Sequence, residues 1–230
     1  MLQHLYFFAV FYIPCTLLLP IPLIFLAYLS NTDINKLYTS FVIKYPLLTS
    51  YEIINPSARQ SEGIIIANHK SGFDNLYDSH VTHSVLIADT KVRWYHGLVY
   101  LLQAIYKQII VFDKTATTRH QIYKQMKDSG ASSLLFYPEG TRVRIDYKKK
   151  EDIQKHIKYG LLKSIYERND YPVQLFISKN KEKVFNNKPI TPVHIKSIYG
   201  SSFWPKSYDS FELFIDEIIT QWIECLEELN

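Results

Sequence analysis

The stretch Ile64-Ile65-Ile66-Ala67-Asn68-His69-Lys70-Ser71-Gly72-Phe73-Asp74 decides the fold. Its apolar half, Ile64–Ala67, has the length and β-branched content of a buried strand. The strand stops abruptly at Asn68-His69, and Asp74 follows five residues after the histidine. Alternating α/β folds place their chemistry at such strand ends. Residues five apart on one regular helix point about 140° away from each other. His69 and Asp74 can therefore meet only if His69 lies in the turn before a helix and Asp74 in its first turn or two. Ser71 is the expected helix-capping residue, beside the permissive backbone of Gly72. Read alone, His69 serves equally well as a partly exposed loop histidine and as a base oriented by Asp74.

Working outward, Tyr51–Ile54 and Gly63–Ala67 read as strands with Asn55-Pro56-Ser57 as the turn between them. A short helix follows the histidine, then a strand at Ser84–Ala88. Trp94–Ile105 is apolar on nearly every face, which fits a buried core helix, the alternative being a membrane- or acyl-contacting surface. Ile109–Phe112 reads as a strand ending in Asp113-Lys114, and Thr117–Lys127 as a helix stopped by Asp128-Ser129-Gly130. Leu134–Tyr137 is a strand running into Pro138-Glu139-Gly140-Thr141-Arg142. Val143–Gln154 reads as a solvated charged loop, followed by a helix at Ile157–Glu167 and a strand at Val173–Ile177. Residues 179–208 read as loops around a short strand at Val193–Ile198. Phe211–Leu229 carries one apolar stripe opposite an acidic face, a helix that packs on the domain. Strands alternating with helices imply an α/β fold, a mostly parallel or mixed sheet with helices on both faces.

The 230 residues fit one such domain, residues 33–230, plus a separate N-terminal segment. Residues 2–32 contain no Asp, Glu, Lys or Arg. As a helix, Leu5–Leu29 would extend about 37 Å at ~1.5 Å per residue, enough for a bilayer. Pro14, Pro20 and Pro22 interrupt it, so a kinked span fits as well as two short helices that enter one leaflet and return. Residues 1–32 are expected to associate with a membrane, the alternative being a helix buried in the domain core. Lys36 and Lys44 follow the segment and would place the domain on the cytoplasmic face.

The formal charge of +4 permits an anionic substrate or membrane surface without calling for nucleic acid. Only 7 glycines argue against a glycine-rich dinucleotide loop, and 2 cysteines at opposite ends leave no disulfide framework or cysteine-based zinc site. Asp78, His80 and His83 lack a matching second cluster and read as helix-end residues rather than metal ligands. Three strand ends thus carry the candidate chemistry: His69 with Asp74, Lys114, and Glu139–Arg142. A histidine held by a carboxylate is a competent base. Gly140, Thr141 and Arg142 offer backbone N–H groups, a hydroxyl and a guanidinium to a phosphate, with Lys114 a second positive charge.

Asn68–Asp74 resembles the NHxSxxD block, and Tyr137–Arg142 the FPEGTR block, of glycerolipid acyltransferases of the lysophosphatidic acid acyltransferase family. The resemblance covers Gly63–Ile177. It implies that His69 deprotonates the free hydroxyl of a lysophospholipid acceptor while Asp74 orients the ring. It implies acyl-CoA or an acyl carrier protein as donor, attack without an acyl-enzyme, no metal or organic cofactor, and phosphatidic acid as product. Glu139, Gly140, Thr141 and Arg142 would bind the acceptor's phosphate end. Because a carboxylate repels phosphate, Glu139 is expected to position Arg142 or Thr141 instead. Two departures concern the acceptor. The family's second block begins with Gly and ends in Arg, where this chain has Gln108 and Lys114, and a second proline is missing after Pro172. Another lysophospholipid or glycerol 3-phosphate is therefore an alternative acceptor, and a non-catalytic lipid-binding protein an alternative of another class.

Overall fold

The computed structural model describes residues 49–72, 74–89, 109–112, 124, 128, 130–143, 145–184 and 192–230. The expected membrane segment 1–32, the apolar stretch Trp94–Ile105, Lys114 and most of Thr117–Lys127 lie outside these residues. Among the described residues no helix is long and apolar enough to cross a membrane.

Seven strands form one sheet: β1 (Thr49–Ile53), β2 (Gly63–Ala67), β3 (Val85–Asp89), β4 (Ile109–Phe112), β5 (Ser133–Phe136), β6 (Val173–Lys179) and β7 (Val193–Tyr199). Their order is β1-β7-β6-β2-β5-β3-β4. All neighbours are parallel except β6 and β7, so β1 and β7 run against the other five. The sheet is mixed with a parallel centre. The central strand β2 is buried at all five residues, which explains why its sequence is a continuous apolar run and not an alternation.

Four helices accompany the sheet among the described residues: α1 (Asp74–Thr82), α2 (Lys150–Gln154), α3 (Tyr159–Arg168) and α4 (Phe211–Glu228). The strand period of two divides their contacts. Ile64, Ile66, Leu134, Phe136, Val173, Leu175 and Ile177 join one cluster with Leu162 and Ile165 of α3 and Phe214, Ile218 and Trp222 of α4. Phe176 points the other way, where its ring lies 6.4 Å from that of Tyr77 on α1 and 4.8 Å from Tyr199 on β7. Helices thus cover both faces. Ser210 caps α4, its hydroxyl accepting from the Leu213 N–H at 3.2 Å. The apolar stripe of α4 seals the core through Phe214, Ile218 and Trp222, all fully buried.

Two loop expectations are corrected. Strand β6 runs on to Lys179 and β7 to Tyr199, and 3-10 turns form at Lys181–Lys183, whose Lys181 is fully buried, and at Pro205–Ser207. Val143–Gln154 is not a solvated loop throughout: Val143, Tyr147 and Ile153 are buried, and α2 forms at its end. The reason is local. The chain leaves the second motif across the top of the first, and these three apolar bodies fall against α4, where the ring of Tyr147 meets Trp222 edge-on at 6.1 Å.

Candidate active site

The ends of β6, β2 and β5 lie side by side, and each sends its following segment to the same place. After β2 comes the turn Asn68–Gly72, and α1 begins at Asp74. His69 lies in the turn before the helix, and its Nδ1 lies 3.0 Å from Asp74 Oδ2. A buried carboxylate only accepts here, so Nδ1 carries the proton and Nε2 is left with its lone pair. Among the described residues Nε2 has no hydrogen-bond partner, and the side chain is 20% exposed. The ring stacks on Tyr137 at 4.5 Å between centroids.

Asp74 is fully buried and accepts from four donors. The Ser71 N–H reaches Oδ2 at 2.9 Å and the Ser71 hydroxyl reaches Oδ1 at 2.7 Å. The Lys70 N–H and the His69 ring supply the rest. Ser71 thus holds the carboxylate that starts the helix. Burial opposes ionisation of Asp74, but the Lys181 ammonium and the bonds from His69 and Ser71 outweigh it and hold its carboxyl below the usual carboxylate range.

The second motif grips the first through its backbone. Glu139, buried at the end of β5, accepts from the His69 N–H, and its other oxygen accepts from the Tyr147 hydroxyl at 2.7 Å. The Val143 N–H donates to the His69 carbonyl at 2.8 Å. Both Glu139 oxygens are thus committed to His69 and Tyr147, and Glu139 does not position Arg142 or Thr141. Burial, offset in part by these bonds, raises its carboxyl above the ordinary value. The Gly140 N–H is likewise spoken for, donating to the Tyr137 carbonyl at 3.0 Å in a turn with φ +64°, so it does not offer itself to a phosphate. That positive φ favours glycine there.

Thr141 and Arg142 are exposed, and Arg142 reaches back to the first motif, its Nη1 3.5 Å from where a Cβ on Gly72 would stand. The structure therefore brings His69, Asp74, Glu139 and Arg142 together, whereas Lys114 falls outside the described residues. One oxygen of Asp78 accepts from the Lys181 ammonium at 2.7 Å and from the Tyr137 hydroxyl at 3.0 Å. Among the described residues no three His, Cys, Asp or Glu side chains gather as a metal site.

Three contributors escaped the sequence reading. Lys181 looked like one of many lysines in a polar stretch. Tyr147 lay in a segment dominated by charge. The side chain of Asn68 extends the β2–β6 ladder past the strand end, donating to Ser178 O at 2.8 Å and accepting from Ser178 N at 3.0 Å. Only Asn68 carried a signal, as an amide directly after an apolar strand.

A turn histidine on a buried carboxylate, at the C-terminal edge of the parallel strands, is an arrangement able to take a proton from a substrate. The family model described as Acyltransferase matches residues 49–195, more than half of the chain. The chain belongs to the acyltransferase family and is an acyltransferase. Its fold is similar to that of a crystal structure described as the 1-acyl-sn-glycerophosphate (LPA) acyltransferase, PlsC, from Thermotoga maritima. The TM-score is 0.66 at 15% identity, over 98% of this chain and 95% of that one. No curated protein matches the sequence.

Proposed function

We propose that the protein transfers an acyl group from acyl-CoA or an acyl carrier protein to the free hydroxyl of 1-acyl-sn-glycerol 3-phosphate, giving phosphatidic acid. The observation that carries this reading is the 3.0 Å bond from His69 Nδ1 to Asp74, which leaves Nε2 without a partner among the described residues. The acceptor O–H gives its proton to Nε2 as its oxygen bonds to the thioester carbonyl carbon. The C–S bond then breaks, and the departing thiolate takes the proton back from the imidazolium. Asp74 stabilises that imidazolium and fixes the tautomer. Arg142 pairs with the acceptor phosphate, with Thr141 and Lys114 at its side. The PlsC likeness supports a phosphorylated glycerolipid acceptor over other alcohols. Residues 1–32 hold the domain at a membrane, on the cytoplasmic face, where its acceptor resides.

The test is transfer of labelled acyl groups in membranes, from acyl-CoA and from acyl carrier protein. The acceptor panel is 1-acylglycerol 3-phosphate, other lysophospholipids, glycerol 3-phosphate and a monoacylglycerol. His69→Ala is expected to lower transfer about 10²–10⁴-fold. Arg142→Ala is expected to raise KM for the phosphorylated acceptor while leaving the weak use of monoacylglycerol unchanged. Full transfer by the His69 variant would overturn the mechanism, and a preference for glycerol 3-phosphate would overturn the acceptor.

A further inference from the structure

One peptide group in the site is held at both ends by buried charge. Its N–H belongs to His69 and donates to Glu139. Its carbonyl belongs to Asn68 and accepts from the Lys181 ammonium at 2.7 Å. Lys181 is fully buried in the 3-10 turn Lys181–Lys183 that follows β6, far in sequence from either motif. The same ammonium donates to Asp78 at 2.7 Å and lies 4.0 Å from Asp74 Oδ2. The peptide plane between residues 68 and 69 sets the direction in which the His69 Cα–Cβ bond leaves the chain. Fixing that plane therefore fixes where Nε2 points.

We propose that Lys181 is a positioning residue for acyl transfer, which aims His69 through the Asn68 carbonyl and supplies the positive charge that balances Asp74 behind the ring. The proposal rests on the reading of His69 as the base. An ammonium without water around it is costly to bury, and an apolar side chain of similar volume in a neutralised site often serves stability as well or better. Stability alone thus gives no reason for a lysine here. The choice of atoms does: one donor meets the carbonyl next to the base, and a second meets the carboxylate one helical turn beyond the carboxylate that the base uses. Two further donors reach the same pair of acids, since Tyr137 binds Asp78 and His69 binds Asp74. The cation is flanked by Asp74 and Asp78 from α1 and by Tyr137 from the end of β5, and it cannot reach a substrate from its buried place.

Removing Lys181 alone strands Asp78, so the test neutralises both. In D78N the amide oxygen still accepts from Tyr137, and Lys181 keeps the Asn68 carbonyl and its place near Asp74. This variant is expected to hold kcat within threefold of wild type. K181M/D78N and K181Q/D78N lose the grip on the Asn68 carbonyl. They are expected to unfold within a few degrees of D78N, yet to lose at least tenfold in kcat with KM for donor and acceptor changed less than twofold. A merely structural lysine would show stability and kcat moving together. Double variants that fold and keep a third or more of wild-type kcat would overturn the proposal. So would a D78N that loses as much as they do, or a pair of double variants neither of which folds, because Lys181 would then belong to the fold itself. His69→Ala is measured alongside. If it keeps full transfer, the reading of the base fails. If it is inactive while the double variants are active, the proposal about Lys181 fails alone.

Discussion

Asp74 and Asp78 stand one helical turn apart on α1, both fully buried and both near Lys181, yet their carboxyls are driven in opposite directions. Asp74 has four hydrogen-bond donors and stays below its ordinary range. Asp78 has two donors on one oxygen, and its other oxygen has no hydrogen-bond partner among the described residues. Burial, resisted by Lys181 and aided by repulsion from Asp74, pushes Asp78 up from 3.8 to about 7. The consequence for stability has a definite sign. An acid whose folded pKa is raised binds its proton more tightly in the folded state, so the native form holds more protons than the unfolded one between the two values. Stability from Asp78 is therefore greatest below the unfolded value and falls as pH rises from about 4 to about 7, with a slope of at most about 1.4 kcal/mol per pH unit for one proton. Asp74 acts the other way, its contribution present above the unfolded value and lost only as pH falls through its lower folded value. Urea unfolding of wild type and Asp78→Asn across this window checks the expectation. The stability of wild type relative to the variant should decline up to pH 7 and then level off. A flat difference would place Asp78 in the ionised form throughout.

At the level of elements, what was legible is what periodicity can carry. The β2 run was read to the residue because all its side chains are buried, and β4 because its four apolar residues end at a charged pair. The terminal helix followed from one stripe, and its packing on the sheet from the acidity of its other face. Helix geometry requires a strand-turn-helix if His69 is to meet Asp74, and the structure has that arrangement. The failures share a cause. Glu139 and Lys181 act through hydrogen bonds between segments distant in sequence, and no local pattern encodes a partner 70 or 113 residues away. The Val143–Gln154 segment was misjudged because its charges outnumber the three side chains that bury. Its importance is open to test at Tyr147. Tyr147→Phe keeps the ring on Trp222 but takes the donor from Glu139 Oε1, leaving a buried carboxylate oxygen without its partner. Destabilisation of about 1–3 kcal/mol is expected in urea unfolding. The weaker seat for Glu139 should also lower kcat more than it alters either KM. A variant as stable and active as wild type would show that Tyr147 contributes packing only.

The molecule as a whole gathers its chemistry by strand order. His69 follows β2, Glu139 follows β5 and Lys181 follows β6, and these are the three consecutive strands β6-β2-β5 of the sheet, all parallel. Their C-terminal ends share one edge, the place where such sheets carry ligands. If the proposed acceptor is a lipid, that edge must face a bilayer, and residues 1–32 are the part of the chain suited to hold it there. Two alternatives, a membrane segment and a helix in the domain core, respond differently to buried charge. Lysine near the centre of a membrane helix costs about 2.5–3.5 kcal/mol for insertion and leaves a separately folded domain unharmed. Lysine in the core of the domain lowers the stability of the domain itself. The full-length variant Leu18→Lys/Leu26→Lys is therefore expected to leave the pellet when sedimented with phosphatidylcholine or phosphatidylglycerol vesicles, where the wild type stays bound to both. Its thermal unfolding should match wild type, because a segment seated in the membrane adds nothing to the domain core. Release together with a fall in the unfolding temperature would place residues 1–32 in the domain core. Unchanged sedimentation would move the anchor to another surface.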